Sequence, residues 1–248
     1  MTVIQLRGVT LQSHDIDSLA REFEHGSLVF HNVDTIGKLG KDDEFRSVCS
    51  QVEYSIVDGQ VLAWLLSLFW GHRVLKASGS DFLREFCVRH ADEPSVKVFL
   101  LGAGPGVAEL ARARLNAVAG REIVVGAHSP SFNLLDDEEE SAACGELIRA
   151  SEATVLVVGL GAPKQEKWIA AHRKDLPQID RFIAVGATLD FEAGRISRAP
   201  CWMSNVGLEW AYRLLMEPKR LWRRYLVEGP LTIALLAGNR LGQLVGRY

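Results

Sequence analysis

Residues 96–119, VKVFLLGAGPGVAELARARLNAVA, decide the fold class. Val96 to Leu101 is an almost continuous apolar run, which is typical of a parallel strand covered on both faces. A glycine-containing loop, Gly102 to Gly106, follows this run, and Val107 to Ala119 has the length and pattern of a helix. A strand, a short turn and a helix in this order indicate one βα unit.

The same alternation continues on both sides of this unit. Further strands are predicted over Thr2 to Leu6, Thr10 to Gln12, Ser27 to His31, Glu53 to Val57, Ile123 to Gly126, Thr154 to Gly159 and Arg181 to Val185. Further helices are predicted over Ile16 to Phe23, Asp34 to Cys49, Gln60 to Trp70, Phe82 to His90, Asp136 to Arg149 and Pro163 to Arg173. We therefore predict a Rossmann-like α/β domain, with a parallel sheet and helices on both faces.

The composition and the charge distribution divide the chain into two parts. With 248 residues, of which 48% are hydrophobic and 24% charged, the chain can bury a full-sized core, and low-complexity disorder is excluded. The formal net charge of −3 hides an asymmetry, because residues 195–224 carry +5 and the remaining residues sum to −8. The βα alternation stops near Arg195. We predict a catalytic domain over residues 1–194 and a basic, aromatic, helical appendage over residues 195–248.

Several classes of protein are excluded or disfavoured. The histidines and the four cysteines (Cys49, Cys87, Cys144 and Cys201) lack metal-ligand spacing, so we expect reduced thiols and no metal site. The segment Met1 to Arg7 has no apolar run of signal-peptide length, and the run Val61 to Trp70 is shorter than the ~20 residues of a membrane-spanning helix. The sequence predicts a protein that lies on a membrane at most, and its basic tail alone is weak evidence for nucleic-acid binding.

The glycine loop leaves two interpretations open. The N–H groups of Gly102 and Gly104 could face an anion at the start of a helix, or the glycines could simply permit tight packing. A dinucleotide-binding fingerprint would need a third glycine where Val107 stands. The acid about twenty residues on, Glu122, precedes its strand, which is the wrong end for a ribose contact. An NAD-dependent enzyme is therefore the weaker alternative.

Polar residues follow the predicted strands at the edge where open α/β sheets bind ligands. Asp58 ends a strand just before Gly59 and an apolar helix, so it could be a general base or the N-cap of that helix. Asn32 could project into the same crevice. Asp190, after the last strand, could contact a ribose or a base edge.

A further strand–helix junction lies at Gly159 to Trp168. Pro163 suits a first helical turn, in which Lys164 and Gln165 would then lie. A lysine is unusual there because the helix dipole favours anions at that end. A bound phosphate would explain the lysine, and a solvated surface turn is the alternative.

Eight segments carry a resemblance to a known family. They are His31-Asn32, Val57 to Gly59, Gly79 to Phe82, Leu101 to Gly104, Gly159 to Glu166, Gly186 to Phe191, Arg198 to Pro200 and Gly207 to Leu214. These segments extend over nearly the whole chain, and the last third is the most specific part. On these residues the sequence resembles the WecG/TagA/CpsF family of bacterial glycosyltransferases.

The resemblance implies a metal-independent, inverting transfer from a UDP-sugar to a sugar linked through diphosphate to a polyprenyl lipid, in surface polysaccharide synthesis. The UDP-sugar is then a substrate, no cofactor is expected, and the appendage meets the inner face of the cell membrane. By motif position Asp58 is the implied base and Asn32 and Gln165 are active-site residues, although Phe30 stands where many members have threonine. The expected donor-binding residues are Ser80, Asp81, Gly102, Gly104, Pro163, Lys164 and Asp190.

The appendage supplies the remaining candidates. Arg213, Arg220 and Arg223 fall within roughly 80° of one helical face, although Pro218 interrupts that helix. The resemblance points to arginines of the appendage that enter the active site, and contact with lipid headgroups is the alternative. The interspersed aromatic residues favour membrane contact over a docked terminal helix or an oligomer interface. A non-catalytic UDP-sugar-binding module that docks on membranes remains the rival function.

Overall fold

The computed structural model describes residues 2–245, without the side chains of Cys201, Asn205, Asn239 and residues 241–245. Within this part of the chain, eight strands form one sheet in the order β1-β2-β4-β3-β8-β7-β5-β6. The strands are β1 (Thr2–Leu6), β2 (Val9–Ser13), β3 (Gly26–His31), β4 (Tyr54–Val57), β5 (Val98–Gly102), β6 (Val124–His128), β7 (Val155–Gly159) and β8 (Arg181–Ala184). β1 and β2 pair antiparallel, and every other pair of neighbours is parallel. The predicted α/β fold is confirmed.

Helices connect the strands and form the C-terminal segment. They are α1 (Ile16–Glu22), α2 (Val33–Leu39), α3 (Asp43–Ser50), α4 (Gln60–Trp70), α5 (Gly79–Arg89), α6 (Val107–Ala119), α7 (Glu138–Ala150), α8 (Lys164–His172), α9 (Thr188–Glu192), α10 (Cys201–Asn205), α11 (Glu209–Met216), α12 (Pro218–Arg223) and α13 (Gly229–Val245). A short 3₁₀ turn follows α8, and a π-helical turn, Arg224–Glu228, joins α12 to α13.

Helices cover both faces of the sheet. On one face α1, α5, α6 and α9 pack around fully buried side chains such as Phe82 and Leu115. On the other face α7 and α8 pack around Trp168, and α2, α3 and α4 pack around Phe45 and Leu62. Burying each such side chain contributes about 1.5–3 kcal/mol to the free energy of folding. These two layers fix the carboxyl ends of the parallel strands as one rigid edge.

One predicted helix differs from the structure, and one short helix was not predicted. The single helix predicted from Asp34 to Cys49 is two helices, because the chain turns at Gly40 and the Asp42 side chain accepts a hydrogen bond from the N–H of Phe45 to start α3. Asp190 follows the last strand, as predicted, and lies in a short helix, α9. That helix was not predicted because its five residues are too few to show a period.

The appendage predicted from residue 195 is helical, and it packs against the rest of the molecule. Arg198 binds Asp81 at 2.5 Å and the buried Glu192 at 2.7 Å, so the start of the appendage is tied to α5 and α9. Farther along, α13 packs on α2 and α4, with Thr232 and Leu236 buried. The division of the chain into two domains stays a prediction.

Two further observations concern the excluded classes. The thiols of Cys49, Cys87 and Cys144 are free and buried, as expected, and Cys201 lies outside the described side chains. Among residues 2–245, none of the helices combines the length and the apolar character that crossing a bilayer requires.

Candidate active site

A cavity of about 670 Å³ opens at the carboxyl ends of the parallel strands. The loops that follow β3, β4, β5, β6, β7 and β8 form its floor and walls, and the appendage closes one side with residues of α11, α12 and the π-helical turn. Of the predicted site residues, ten line this cavity: Asn32, Asp58, Ser80, Gly104, Lys164, Gln165, Asp190, Arg213, Arg220 and Arg223. The strand ends and the appendage thus meet at one site.

Asp58 follows β4 directly and lies at this site. Its backbone N–H donates to the carbonyl of His31 at 2.7 Å, which fixes the start of the loop. The N-cap of α4 is Gly59 and has no side-chain hydrogen bond, so Asp58 does not cap that helix. Burial, and after it the charge of Glu209, raise the pKa of Asp58 to about 7, while Arg213 opposes the shift. A carboxylate with this pKa can accept a proton near neutral pH.

Asn32 follows β3 and is the N-cap of α2. Its Oδ1 accepts hydrogen bonds from the N–H groups of Asp34 at 3.0 Å and Thr35 at 3.2 Å, and the Thr35 hydroxyl accepts in return from the N–H of Asn32. This capping box holds the carboxamide at the edge of the sheet. Phe30, at the position where many members of the family that the sequence resembles have threonine, is buried and also borders the cavity.

Gln165 is held firmly between two loops. Its Oε1 accepts hydrogen bonds from the N–H groups of Gly161 at 3.1 Å and Gly186 at 2.8 Å, and its Nε2 donates to Glu166 at 2.9 Å. With 3% of its surface exposed, Gln165 therefore connects the loop after β7 to the loop after β8. This arrangement makes it a support for both walls of the cavity.

Glu166 was not predicted as a site residue. It is 1% exposed, and desolvation raises the pKa of its carboxyl to about 7. One oxygen accepts from Gln165, and the other has no partner among the described residues. An acid in the first turn of a helix is ordinarily exposed, so the sequence gave no reason to expect that Glu166 is buried. Its position next to Gln165 was the sole sign that it belongs to the site.

The two glycines Gly102 and Gly104 in the loop after β5 have different roles. Gly102 has a φ of +127°, and a Cβ there would lie 2.6 Å from backbone atoms of Gly159, so this position requires glycine for packing against β7. Gly104 and the intervening Ala103 border the cavity. Gly102 is therefore required for packing, and Gly104 is the glycine of this loop that borders the cavity.

Lys164, at the start of α8, borders the cavity and donates from Nζ to the carbonyl of Phe132 at 2.7 Å. Pro163, in a cis peptide bond after Ala162, is the N-cap of α8.

Ser80, in the first turn of α5, borders the cavity, whereas Asp81 binds Arg198 instead. Burial raises the pKa of Asp190, and the nearby Arg220 partly offsets that effect. The structure thus brings Lys164, Ser80 and Asp190 to the cavity and uses Pro163 and Asp81 in the supporting frame.

The three predicted arginines approach the cavity from α11 and α12. Arg213 is 27% exposed, binds Glu209 at 2.7 Å and stacks over the Phe191 ring at 4.7 Å. Arg220 and Arg223 are 61% and 75% exposed and pair with Glu217 and Glu228. Glu217 ends α11 immediately before Pro218, so the helix is split as the proline predicts. Arg213 is therefore the most enclosed of the three cations.

A second cavity of about 440 Å³ adjoins the first. Apolar residues contribute most of its wall, among them Leu62, Trp210, Tyr225 and Ile233. Both cavities share Asn32, Asp34, Asp58, Arg213 and Arg224. Asp58 thus lies where a polar cleft meets an apolar groove.

Arg224 is a second residue that the sequence analysis missed. It lies in the π-helical turn and contacts Asn32 and Asp34. Residues 219–224 contain four basic residues, and nothing in the sequence distinguishes Arg224 from the other three as a site residue.

Within residues 2–245, three or more His, Cys, Asp or Glu side chains do not come together as a cluster that could hold a metal ion. A family model described as the Glycosyl transferase WecG/TagA/CpsF family matches residues 4–245 of the chain. The match covers the sheet, the cavity and the appendage alike.

Proposed function

Since the chain belongs to the WecG/TagA/CpsF family of glycosyltransferases, we propose that it transfers a sugar from a UDP-sugar to a sugar carried on a polyprenyl diphosphate. The reaction inverts the anomeric carbon, requires no metal ion or cofactor, and serves the synthesis of bacterial surface polysaccharide at the inner face of the membrane. The observation that carries this proposal is the position of Asp58 between a polar cleft and an apolar groove.

The two cavities suit two substrates of different character. The larger one, bordered by Lys164, Asp190 and the backbone of the glycine loop, offers polar groups for a nucleotide diphosphate. The smaller one, with Trp210, Tyr225 and Leu226 in its wall, suits the sugar end of a lipid-linked acceptor. The acceptor hydroxyl then meets the anomeric carbon beside Asp58.

Asp58 is the general base of the proposed step. The acceptor oxygen bonds to the anomeric carbon from the face opposite UDP, its proton passes to the Asp58 carboxylate, and the bond from that carbon to the β-phosphate oxygen breaks. The bonding electrons leave on UDP. The raised pKa of Asp58, about 7, matches this task because the base then takes the proton readily near neutral pH.

The departing UDP gains negative charge, and cations near the cleft stabilise it electrostatically. We assign this role to Arg213, Arg220 and Arg223, which border the large cavity on the appendage side. Because these residues lie after position 209, a catalytically complete site requires the appendage.

The appendage also presents an apolar surface of the kind that binds membranes. We define the membrane face by eight of its exposed apolar side chains together with two on α4: Trp64, Leu68, Trp202, Leu215, Met216, Trp222, Leu226, Val227, Leu231 and Leu235. Basic residues of the +5 segment alternate with them along α11 and α12. Such a mixture favours the interface of an anionic bilayer.

Replacing Leu215 with glutamate tests this membrane face. Leu215 is 80% exposed, so Leu215→Glu should leave the melting temperature unchanged but reduce the protein that co-sediments with phosphatidylglycerol vesicles. The expected reduction is about fivefold or more, because a carboxylate at the interface is repelled by anionic lipid. Leu147→Glu, at a 48% exposed position on α7, is the matched control. Equal co-sedimentation of both variants would contradict the proposed membrane face.

A donor screen tests the reaction itself. Purified protein is supplied with a polyprenyl-diphosphate-linked sugar and each UDP-sugar in turn, and UDP release is measured with and without EDTA. We expect release with one donor, dependence on the acceptor, and no loss in EDTA. UDP binding without turnover of any donor would favour the non-catalytic module instead, and loss of turnover in EDTA would overturn metal independence.

A further inference from the structure

Arg224 reaches the end of β3 from the appendage. Its guanidinium donates to Asn32 Oδ1 at 3.4 Å and pairs with Asp34 at 3.3 Å. It borders both cavities, whereas the adjacent Arg223 points to Glu228 and is 75% exposed. A π-helical turn begins at Arg224, and such turns are frequent at functional sites.

The contacts of Asn32 define the orientation of its carboxamide. Oδ1 accepts from three donors, namely the N–H groups of Asp34 and Thr35 and the Arg224 guanidinium. Three donors around one atom identify that atom as the oxygen. Within the described residues Nδ2 makes no hydrogen bond, so the NH₂ group is left for a ligand in the adjoining cavities.

Asp34 links Arg224 to the opposite wall. Its carboxylate is 8% exposed and is shared between Arg224 and Lys38, which lies 2.9 Å away. The Lys38 ammonium also donates to the carbonyl of Ala162 at 2.8 Å, in the loop that leads to Gln165. Charged contacts therefore run without interruption from the appendage, across α2, to the loop after β7.

We propose that Arg224 is a positioning residue that holds the Asn32 carboxamide so that its NH₂ group donates hydrogen bonds to a sugar oxygen of the substrate. The identity of the ligand rests on the proposed function. The positioning itself rests on the contacts of Arg224, Asp34 and Asn32.

Asn32→Asp tests the donor role. Aspartate keeps Oδ1, remains a good N-cap and can still pair with Arg224, but it replaces the NH₂ donor with an oxygen. We expect kcat/KM to fall about 10-fold or more, as for loss of a hydrogen bond in a buried site, with the melting temperature retained. The assay is run at pH 9, because a new carboxylate near Asp58 would raise the pKa of that base. Unchanged kcat/KM would overturn the donor role.

Arg224→Met tests the positioning role, with Lys219→Met as the matched control. Lys219 is exposed on α12, the helix that leads into the π-helical turn, and does not border either cavity. Arg224→Met should lower kcat/KM about 10-fold, and in an Asn32→Ala background it should add little, since coupled residues are not additive. Full additivity would show that Arg224 does not act through Asn32.

The Asn32 side-chain NH₂ resonance in a ¹⁵N spectrum gives a readout that needs no turnover. It should shift in Arg224→Met and stay in place in Lys219→Met. An unmoved resonance in Arg224→Met would overturn the positioning role, whatever the activity. If the wild-type protein turned over no UDP-sugar, the proposed function would fail while this measurement still decided the role of Arg224.

Discussion

Asp58→Asn should lower kcat by about 10²–10⁴-fold, the usual contribution of general-base catalysis. Asparagine has nearly the same shape as aspartate but cannot take the proton of the acceptor hydroxyl. Asp58 forms no side-chain hydrogen bond or ion pair among the described residues, so the change breaks no contact of the fold. UDP binding, measured by calorimetry, should therefore persist. Turnover at the wild-type rate would refute the assignment of the base.

The pH dependence provides an independent check. Burial raises the pKa of Asp58 to about 7, so the base is mostly protonated below that pH. The value of kcat/KM for the wild-type protein should rise about tenfold per pH unit below pH 7 and level off above it. The residual activity of Asp58→Asn should lack this rise. A rise of the same steepness in the variant would place the titrating group elsewhere.

As the pH rises toward 7, the contribution of Asp58 to the stability of the protein should fall while the activity rises. The folded pKa of Asp58 lies above its unfolded value of 3.8, so the folded protein binds more protons between about pH 4 and pH 7. This group therefore lowers the stability of the protein as the pH rises through that window. Asp58→Asn should remove that loss, and its melting temperature above pH 7 should equal or exceed that of the wild type.

The sheet was predictable because its strands are short apolar runs that end in glycine or polar residues. The bounds of α6 agree with the sequence prediction at both ends, since Gly106 and Gly120 flank it with positive φ. The prediction failed at Gly40, where a helical pattern continued across a turn. There the side-chain cap of Asp42 outweighed the periodicity.

From the residues alone, the candidate site was predictable where it follows strands, whereas the arginines of the appendage were predicted from the family resemblance. Asp58 and Asn32 each follow a predicted strand directly. The sequence therefore predicted that they lie together, because the carboxyl ends of parallel strands share one edge of the sheet. The partner of Asn32, Arg224, lies 192 residues away in sequence, and no local pattern encodes that contact. The apolar groove was hidden for the same reason, because its wall forms only when α11 and the π-helical turn dock beside α4. The burial of Glu166 likewise depends on its neighbour Gln165, which joins two loops that are distant in sequence.

Arg213→Met should lower kcat about 10²–10³-fold, as expected when a preorganised charge beside the departing group is removed. Arg213 is more enclosed than Arg220 or Arg223, so water and salt screen its charge less. Substitutions at those two positions should have smaller effects. Arg220→Glu should still reduce turnover of a soluble acceptor analogue without detergent. A loss seen only with a membrane-borne acceptor would assign Arg220 to lipid contact instead.

Arg213 has a second effect that must be separated from the first. Its charge lowers the pKa of Asp58, whereas the charge of its partner Glu209 raises it. Arg213→Met should therefore move the midpoint of the kcat/KM profile to higher pH, in addition to lowering its plateau.

Adding Glu209→Gln to Arg213→Met removes the unpaired carboxylate and should bring the midpoint back toward pH 7. The plateau should remain low, because the charge that stabilises the departing UDP is still missing. If the double variant recovers the wild-type plateau, Arg213 acts only on the pKa of Asp58. The positive charge that stabilises the departing UDP must then come from another residue.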